Sequence, residues 1–146
     1  MPQRRPYEST EVSWTKSQAD LAAMFAKHNI VSTRFTNYAG QAIVEFMLPE
    51  KQWPVRLTVA VDTRGSKAEA ARELNRIWRV IFWFTKSKLE AVETGLAEME
   101  REWLPYIAIG DSTFGDRALP EVNRLRASGS FTGLLLTVGR EEGDER

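Results

Sequence analysis

Hydrophobic and polar positions change period several times along this chain, and each change marks an element. Residues 1–14 carry two prolines and Arg4-Arg5 with little periodicity and read as a flexible arm. Thr15-Lys16-Ser17-Gln18 then has the spacing of a capping box, and Leu21, Met24, Phe25 and His28 fall on one face, which predicts a helix from Thr15 to about Asn29 and Ile30. β-Branched and aromatic residues take over on either side of the turn tripeptide Tyr38-Ala39-Gly40. They predict strands over 30–38, 41–48 and 55–62. Val55, Leu57, Val59 and Val61 alternate with Arg56, Thr58, Ala60 and Asp62, and Val44, Phe46 and Leu48 repeat the pattern one strand earlier. The opposite face then carries Arg34, Thr36, Tyr38, Gln41, Ile43, Glu45, Met47, Arg56 and Thr58. A loop from Pro49 to Pro54 presents Trp53.

The helical period returns at Ser66-Lys67-Ala68-Glu69, a second capping-box spacing directly after Gly65, and persists to Leu104-Pro105. Unbroken, it predicts about 37 residues and about 55 Å of helix, with Gly95 as the point where it bends or divides. Leu74, Ile77, Trp78, Ile81, Thr85, Leu89, Val92, Leu96, Met99 and Trp103 make its core stripe. Val80, Phe82 and Phe84 widen the apolar arc beyond what one sheet face needs, which suggests a second burial partner, a symmetric copy being the commonest. Residues 106–146 read as loop-rich, with short elements at 119–125 and 131–138 and a polar acidic tail over 139–146. The fold class expected is α+β: an antiparallel three- to four-stranded sheet packed by one long helix, with an N-terminal helix, as a single domain over 15–138.

Composition narrows the chemistry. At 146 residues the chain fits one domain, and no apolar run reaches the roughly 18 residues of a membrane helix. The start, Met1-Pro2-Gln3-Arg4-Arg5-Pro6, has no apolar leader region, so the expectation is a cytoplasmic protein. With no cysteine there is no thiolate nucleophile or disulfide, and His28, the only histidine, limits triads and two-histidine metal motifs. Gly110-Asp111-Ser112-Thr113-Phe114-Gly115 has phosphate-loop glycine spacing, but Asp116 stands where the lysine belongs, so it reads as a turn. Asp62 with Glu69 and Glu73 is the one carboxylate set to weigh for a metal nuclease, and its spacing matches no nuclease pattern; Glu98 with Glu102 reads as an ordinary charged face. The expectation is a protein without catalysis, cofactor or bound metal.

Charge changes the picture most. The 20 basic and 20 acidic residues cancel overall, yet 14 against 9 through residue 90 gives +5, and 6 against 11 beyond it gives −5. Arg72, Arg76, Arg79, Trp83 and Lys86 share one side of the long helix, cations with an indole among them, as a single-stranded nucleic-acid groove uses. The alternative is a solvated face whose arginines pair with neighbouring carboxylates. A second candidate set, Arg34, Tyr38, Trp53 and Arg56, lies on the sheet side. One helix cannot cover a sheet face and join it in one site, so the sets compete, and stacking favours the sheet.

The N-terminal helix, the strands, and a long helix containing Ile77-Trp78-Arg79-Val80-Ile81 and closing on Trp103-Leu104-Pro105-Tyr106 resemble small uncharacterised proteins of phages, mobile elements and thermophilic bacteria. The resemblance implies a setting in replication or recombination and carries over no site residue. A sheet backed by a long helix is also similar to the general plan of single-strand binders, an analogy of fold alone. The leading expectation is non-catalytic binding of single-stranded nucleic acid, DNA first, by a homo-oligomer, first of all a homodimer. The alternative is a homo-oligomeric structural or assembly protein joined through 78–84 and the Trp83 stripe.

Overall fold

The computed structural model describes residues 3–129. Helix α1 (Trp14–Lys27) begins a residue before the predicted start. Ser13, extended at φ −66° and ψ 152°, caps it by accepting from the Lys16 amide, and Thr15 Oγ1 only shares a 3.0 Å hydrogen bond with the Ser13 hydroxyl. The Trp14 amide, another donor that the helix leaves open, is taken by Asn75 Oδ1 of the next helix at 2.8 Å. Strands β1 (Thr33–Tyr38), β2 (Gln41–Met47) and β3 (Pro54–Ala60) form an antiparallel meander in that order. Ala39 at φ 49° and Gly40 at φ 73° make a two-residue turn with both centres left-handed, whose twist suits the strands it joins. That turn sets Tyr38 opposite Gln41 and hence Arg34 opposite Glu45.

Helix α2 (Lys67–Glu93) is capped by Ser66, but the Glu69 carboxylate accepts from the Ser66 hydroxyl rather than from its amide. The predicted 37-residue helix is divided at Gly95. There φ is 79° and the Ala97 amide reaches back to the Ala91 carbonyl, closing the helix end. Strands of six and seven residues span only about 20–24 Å, so an unbroken helix would have carried Trp103 beyond the sheet. The break turns α3 (Met99–Trp103) back, and the Trp103 ring packs on Phe46 at 5.0 Å. Leu96, placed in the core stripe by its spacing, sits in the break and is 86% exposed. Phe84 finds its second partner within the chain: Trp103 and Tyr106 lie edge-on to its ring.

Both α1 and α2 pack on one sheet face. Leu21 and Phe25 of α1, Ile77, Trp78, Ile81 and Leu89 of α2, and Ala42, Val44, Phe46 and Val55 of the strands are buried between them. Phe25 and Phe46 meet at 4.7 Å. Trp78 is fully buried, and its indole N–H donates to Asn37 Oδ1 on β1 at 2.7 Å, tying the helix to the edge strand. The stretch before α1 is also tied to α2, by Arg5 Nη2 on Glu73 Oε2 at 3.3 Å.

The region expected to be loop-rich is ordered differently. A 3-10 turn (Leu104–Tyr106) leads past Ile107, which bridges to Val55 at the β3 edge, into a small hairpin of β4 (Ala108–Ile109) and β5 (Ser112–Thr113). Of the residues that mimic a phosphate loop, Gly110 and Asp111 are the turn of this hairpin and Ser112 and Thr113 its second strand. Asp116 accepts from the Thr113 amide while Thr113 Oγ1 accepts from the Asp116 amide, a capping box that starts α4 (Phe114–Ala127). The short element read over 119–125 is thus part of a 14-residue helix. The element read over 131–138 and the tail over 139–146 lie outside the described residues.

Candidate functional site

With both helices on one side, the other sheet face is open, and strand alternation puts there the residues that the sequence pattern assigned to it. Across its centre run Arg34, Glu45 and Arg56, one from each strand in register. Arg34 Nε donates to Glu45 Oε1 at 2.9 Å, and Arg56 Nε lies 3.5 Å from Oε2 of the same carboxylate. One carboxylate between two guanidiniums leaves the row with a net charge of +1. The two arginines differ in freedom. Arg56 also donates through Nη1 to the Gly110 carbonyl at 2.8 Å, which fastens the β4–β5 hairpin as a wall beside β3, whereas the Arg34 side chain is 73% exposed.

The wall makes the face a trough. A hollow of about 340 Å³ runs from Ser32 to Ala108 past Met47 and Pro54, and another of about 530 Å³ lies between Ile43, Thr58, Tyr106 and Asp111. Arg56 lines both. Tyr38 is on the same face two rows away, about 14 Å from the Arg34 row at 3.4 Å per residue. It is 72% exposed, and among the described residues no ring or cation rests on it. Arg34, Tyr38 and Arg56 are therefore brought together. Trp53 is not: it shares strand parity with Val55, on the helix side of the sheet, at the end of a loop where Glu50 and Gln52 are left-handed. Lys51 Nζ stands 5.6 Å from its ring centre.

The α2 stripe lies across the molecule, and its charges are largely taken. Glu73 pairs with Arg76 at 2.8 Å, Asp20 of α1 with Arg79 at 3.2 Å, and Glu90 with Lys86 at 3.5 Å. The Arg76 and Arg79 side chains are only 15% and 14% exposed, which leaves a phosphate little access to either. Trp83 is 40% exposed, but Lys86 Nζ stands 4.8 Å and Arg79 Cζ 5.6 Å from its ring centre, so cations of the same helix use the π-face that a base would need. Arg72 alone keeps an open position, beside the Arg5, Glu8, Glu69 and Glu73 cluster. Arginines paired with neighbouring carboxylates, the competing reading of this stripe, describe it well.

Of the carboxylates weighed for a metal, Glu69 accepts from the Ser66 hydroxyl and the others serve as ion-pair partners. Hydrogen bonds from Arg64 hold Asp62 down from 3.8 to about 2. Those from Arg76 lower Glu73, and burial partly opposes them. Glu98 and Glu102 separate, one to Arg101 and the other to Lys88. Among the described residues no three His, Cys, Asp or Glu side chains converge as metal ligands, and no helix is long and apolar enough to cross a membrane.

Two features escaped the sequence reading. The Glu45 bridge was within reach, since a two-residue turn at 39–40 fixes the Arg34–Glu45 pairing by counting. The Gly110 carbonyl that receives Arg56 is 54 residues away, and nothing local marks it. Comparison with protein-family models, curated proteins and solved structures finds no match to this chain.

Proposed function

We propose that the chain is a non-catalytic binding protein whose open sheet face takes single-stranded nucleic acid, DNA in the first instance. The observation that carries this reading is the surplus cation of the Arg34–Glu45–Arg56 row on the same helix-free face as the unstacked Tyr38 ring. Arg34 meets a phosphate, Tyr38 stacks a base about 14 Å further along, and Arg56 holds the wall of the trough. Single strands suit a shallow trough better than a duplex does, because their bases are free to lie on a ring. Such a protein fits a role in replication or recombination, where bound strands must be released without cleavage.

The test is fluorescence polarisation of labelled dT20 and U20 over a salt series. Binding is expected to weaken as salt rises and to fall in Arg34→Gln and in Tyr38→Ala. Free tumbling of both probes at micromolar protein and low salt ends this reading. The DNA and RNA probes decide which strand is preferred. A homo-oligomer through α2 is favoured by a separate observation, the partial exposure of Trp83 on a face whose cations are already paired. Light scattering at one chain mass would remove it.

A further inference from the structure

We infer that the larger hollow of the trough, between β3 and the β4–β5 hairpin, takes a base rather than a phosphate and favours guanine. This preference rests on the single-strand reading of the open sheet face. Ile43 and Thr58, opposite each other on β2 and β3, are the floor of the hollow. Their row lies midway between the Arg34 row and the Tyr38 row, about 7 Å from each at 3.4 Å per residue. A strand that reaches from a phosphate on Arg34 to a base on Tyr38 therefore passes the mouth of the hollow. Its volume of about 530 Å³ falls within the range of about 300–1,000 Å³ usual for small-ligand sites.

Charge decides what can enter. Arg56, the cation on the lining, is committed to Glu45 and to the Gly110 carbonyl, while Asp111 and Asp116 line the hairpin side. A phosphate there would meet two carboxylates with no free guanidinium to offset them, so the backbone stays on the Arg34 side and a base turns inward. Asp116 spends one oxygen on the Thr113 amide. Asp111 has no hydrogen bond or ion pair among the described residues, which leaves both its oxygens open. A carboxylate only accepts hydrogen bonds. Guanine presents N1–H and its N2 amino group side by side, two donors for two oxygens. Cytosine and adenine offer one amino group each, and thymine or uracil offers one N–H between two carbonyls that a carboxylate repels. Ile43 gives the flat of the ring an apolar support, and Gln41 and Thr58 carry donors for the guanine O6.

Polarisation of labelled 20-mers tests this, with dT20 set against counterparts that carry guanine, cytosine or adenine at every third position. A bidentate contact to a base discriminates by about 5- to 150-fold, and the exposure of Asp111 places the expectation at the low end. The guanine probe should therefore bind about fivefold tighter than dT20, and tighter than the cytosine and adenine probes. Asp111→Asn, at an exposed turn position that suits asparagine, should bring the guanine-to-dT20 ratio close to one. Arg34→Gln should weaken both probes alike and keep the ratio, because it acts on the phosphate. Binding of dT20 without a guanine preference, or a preference that survives Asp111→Asn, overturns the base pocket and leaves strand binding on the open face standing. A preference for cytosine, adenine or thymine over guanine has the same meaning. If no probe binds at micromolar protein and low salt, strand binding itself fails and the pocket fails with it.

Discussion

Glu45→Gln separates the open sheet face from the α2 stripe by the sign of its effect. The substitution keeps the side-chain shape and one acceptor oxygen but removes the charge shared by Arg34 and Arg56, so the central row rises from +1 to +2. A phosphate about 6 Å from the lost carboxylate, at an effective dielectric constant of about 40–80, gains about 0.7–1.4 kcal/mol, a three- to tenfold tighter complex. If the freed Arg56 takes a second phosphate, the slope of log affinity against log salt steepens by about 0.7. The exposed pair to Arg34 and the longer contact to Arg56 are together worth about 0.5–1.5 kcal/mol, so the fold should lose about that much stability and persist. Polarisation of labelled dT20 between 25 and 300 mM salt, as assay conditions, with a melt to check folding, measures both effects. A folded Glu45→Gln that binds no tighter than the parent, at the same slope, would falsify the placement of the strand on this face. Arg79→Gln, which alters the α2 stripe and its pair with Asp20 of α1 but nothing on the open sheet face, is expected to leave affinity and slope unchanged.

Three further outcomes follow from the packing. Trp78→Phe should cost about 1–3 kcal/mol more than Trp103→Phe in urea unfolding, because the first breaks the bond to Asn37 whereas the second removes a buried N–H without a partner; equal costs would contradict that distinction. The Glu73 carboxyl is held below its ordinary value of 4.5 by Arg76, so its stabilisation is complete above that value and is lost as pH falls through the lowered one. Glu73→Gln should therefore lower stability at pH 7 by about 1–2 kcal/mol and flatten the acid limb of a pH–stability curve, while an unchanged limb would show that the pair does not drive it. Ala39→Asn puts a residue that tolerates left-handed backbone at φ 49° before Gly40 and should raise the urea midpoint by an amount equivalent to about 0.5–1 kcal/mol; a lower midpoint would mean that the turn is not limited by its backbone.

Local chemistry in the sequence was enough to determine the three strands, their inward and outward faces, the turn at 39–40, the cap at Ser66 and the weak point at Gly95. Each depends on residues within a few positions of one another, where periodicity and backbone preference act directly. Register across the first hairpin follows from the turn alone, so the Arg34–Glu45 pairing was also legible in principle. The tertiary structure decided what those signals could not. Gly95 breaks the helix rather than bending it because the core claims Trp103, and that demand comes from Phe46, more than fifty residues earlier. Ser13 rather than Thr15 caps α1 in a helix whose start is fixed by Asn75. The arginines of α2 looked available on a wheel because the wheel does not show Asp20, which arrives from another helix to pair with Arg79. Cations of one stripe can be counted from spacing, but whether each is free depends on carboxylates brought in by the fold. For that reason Arg34, on the open side of the sheet, is far more accessible than Arg76 or Arg79 in the longest run of arginines.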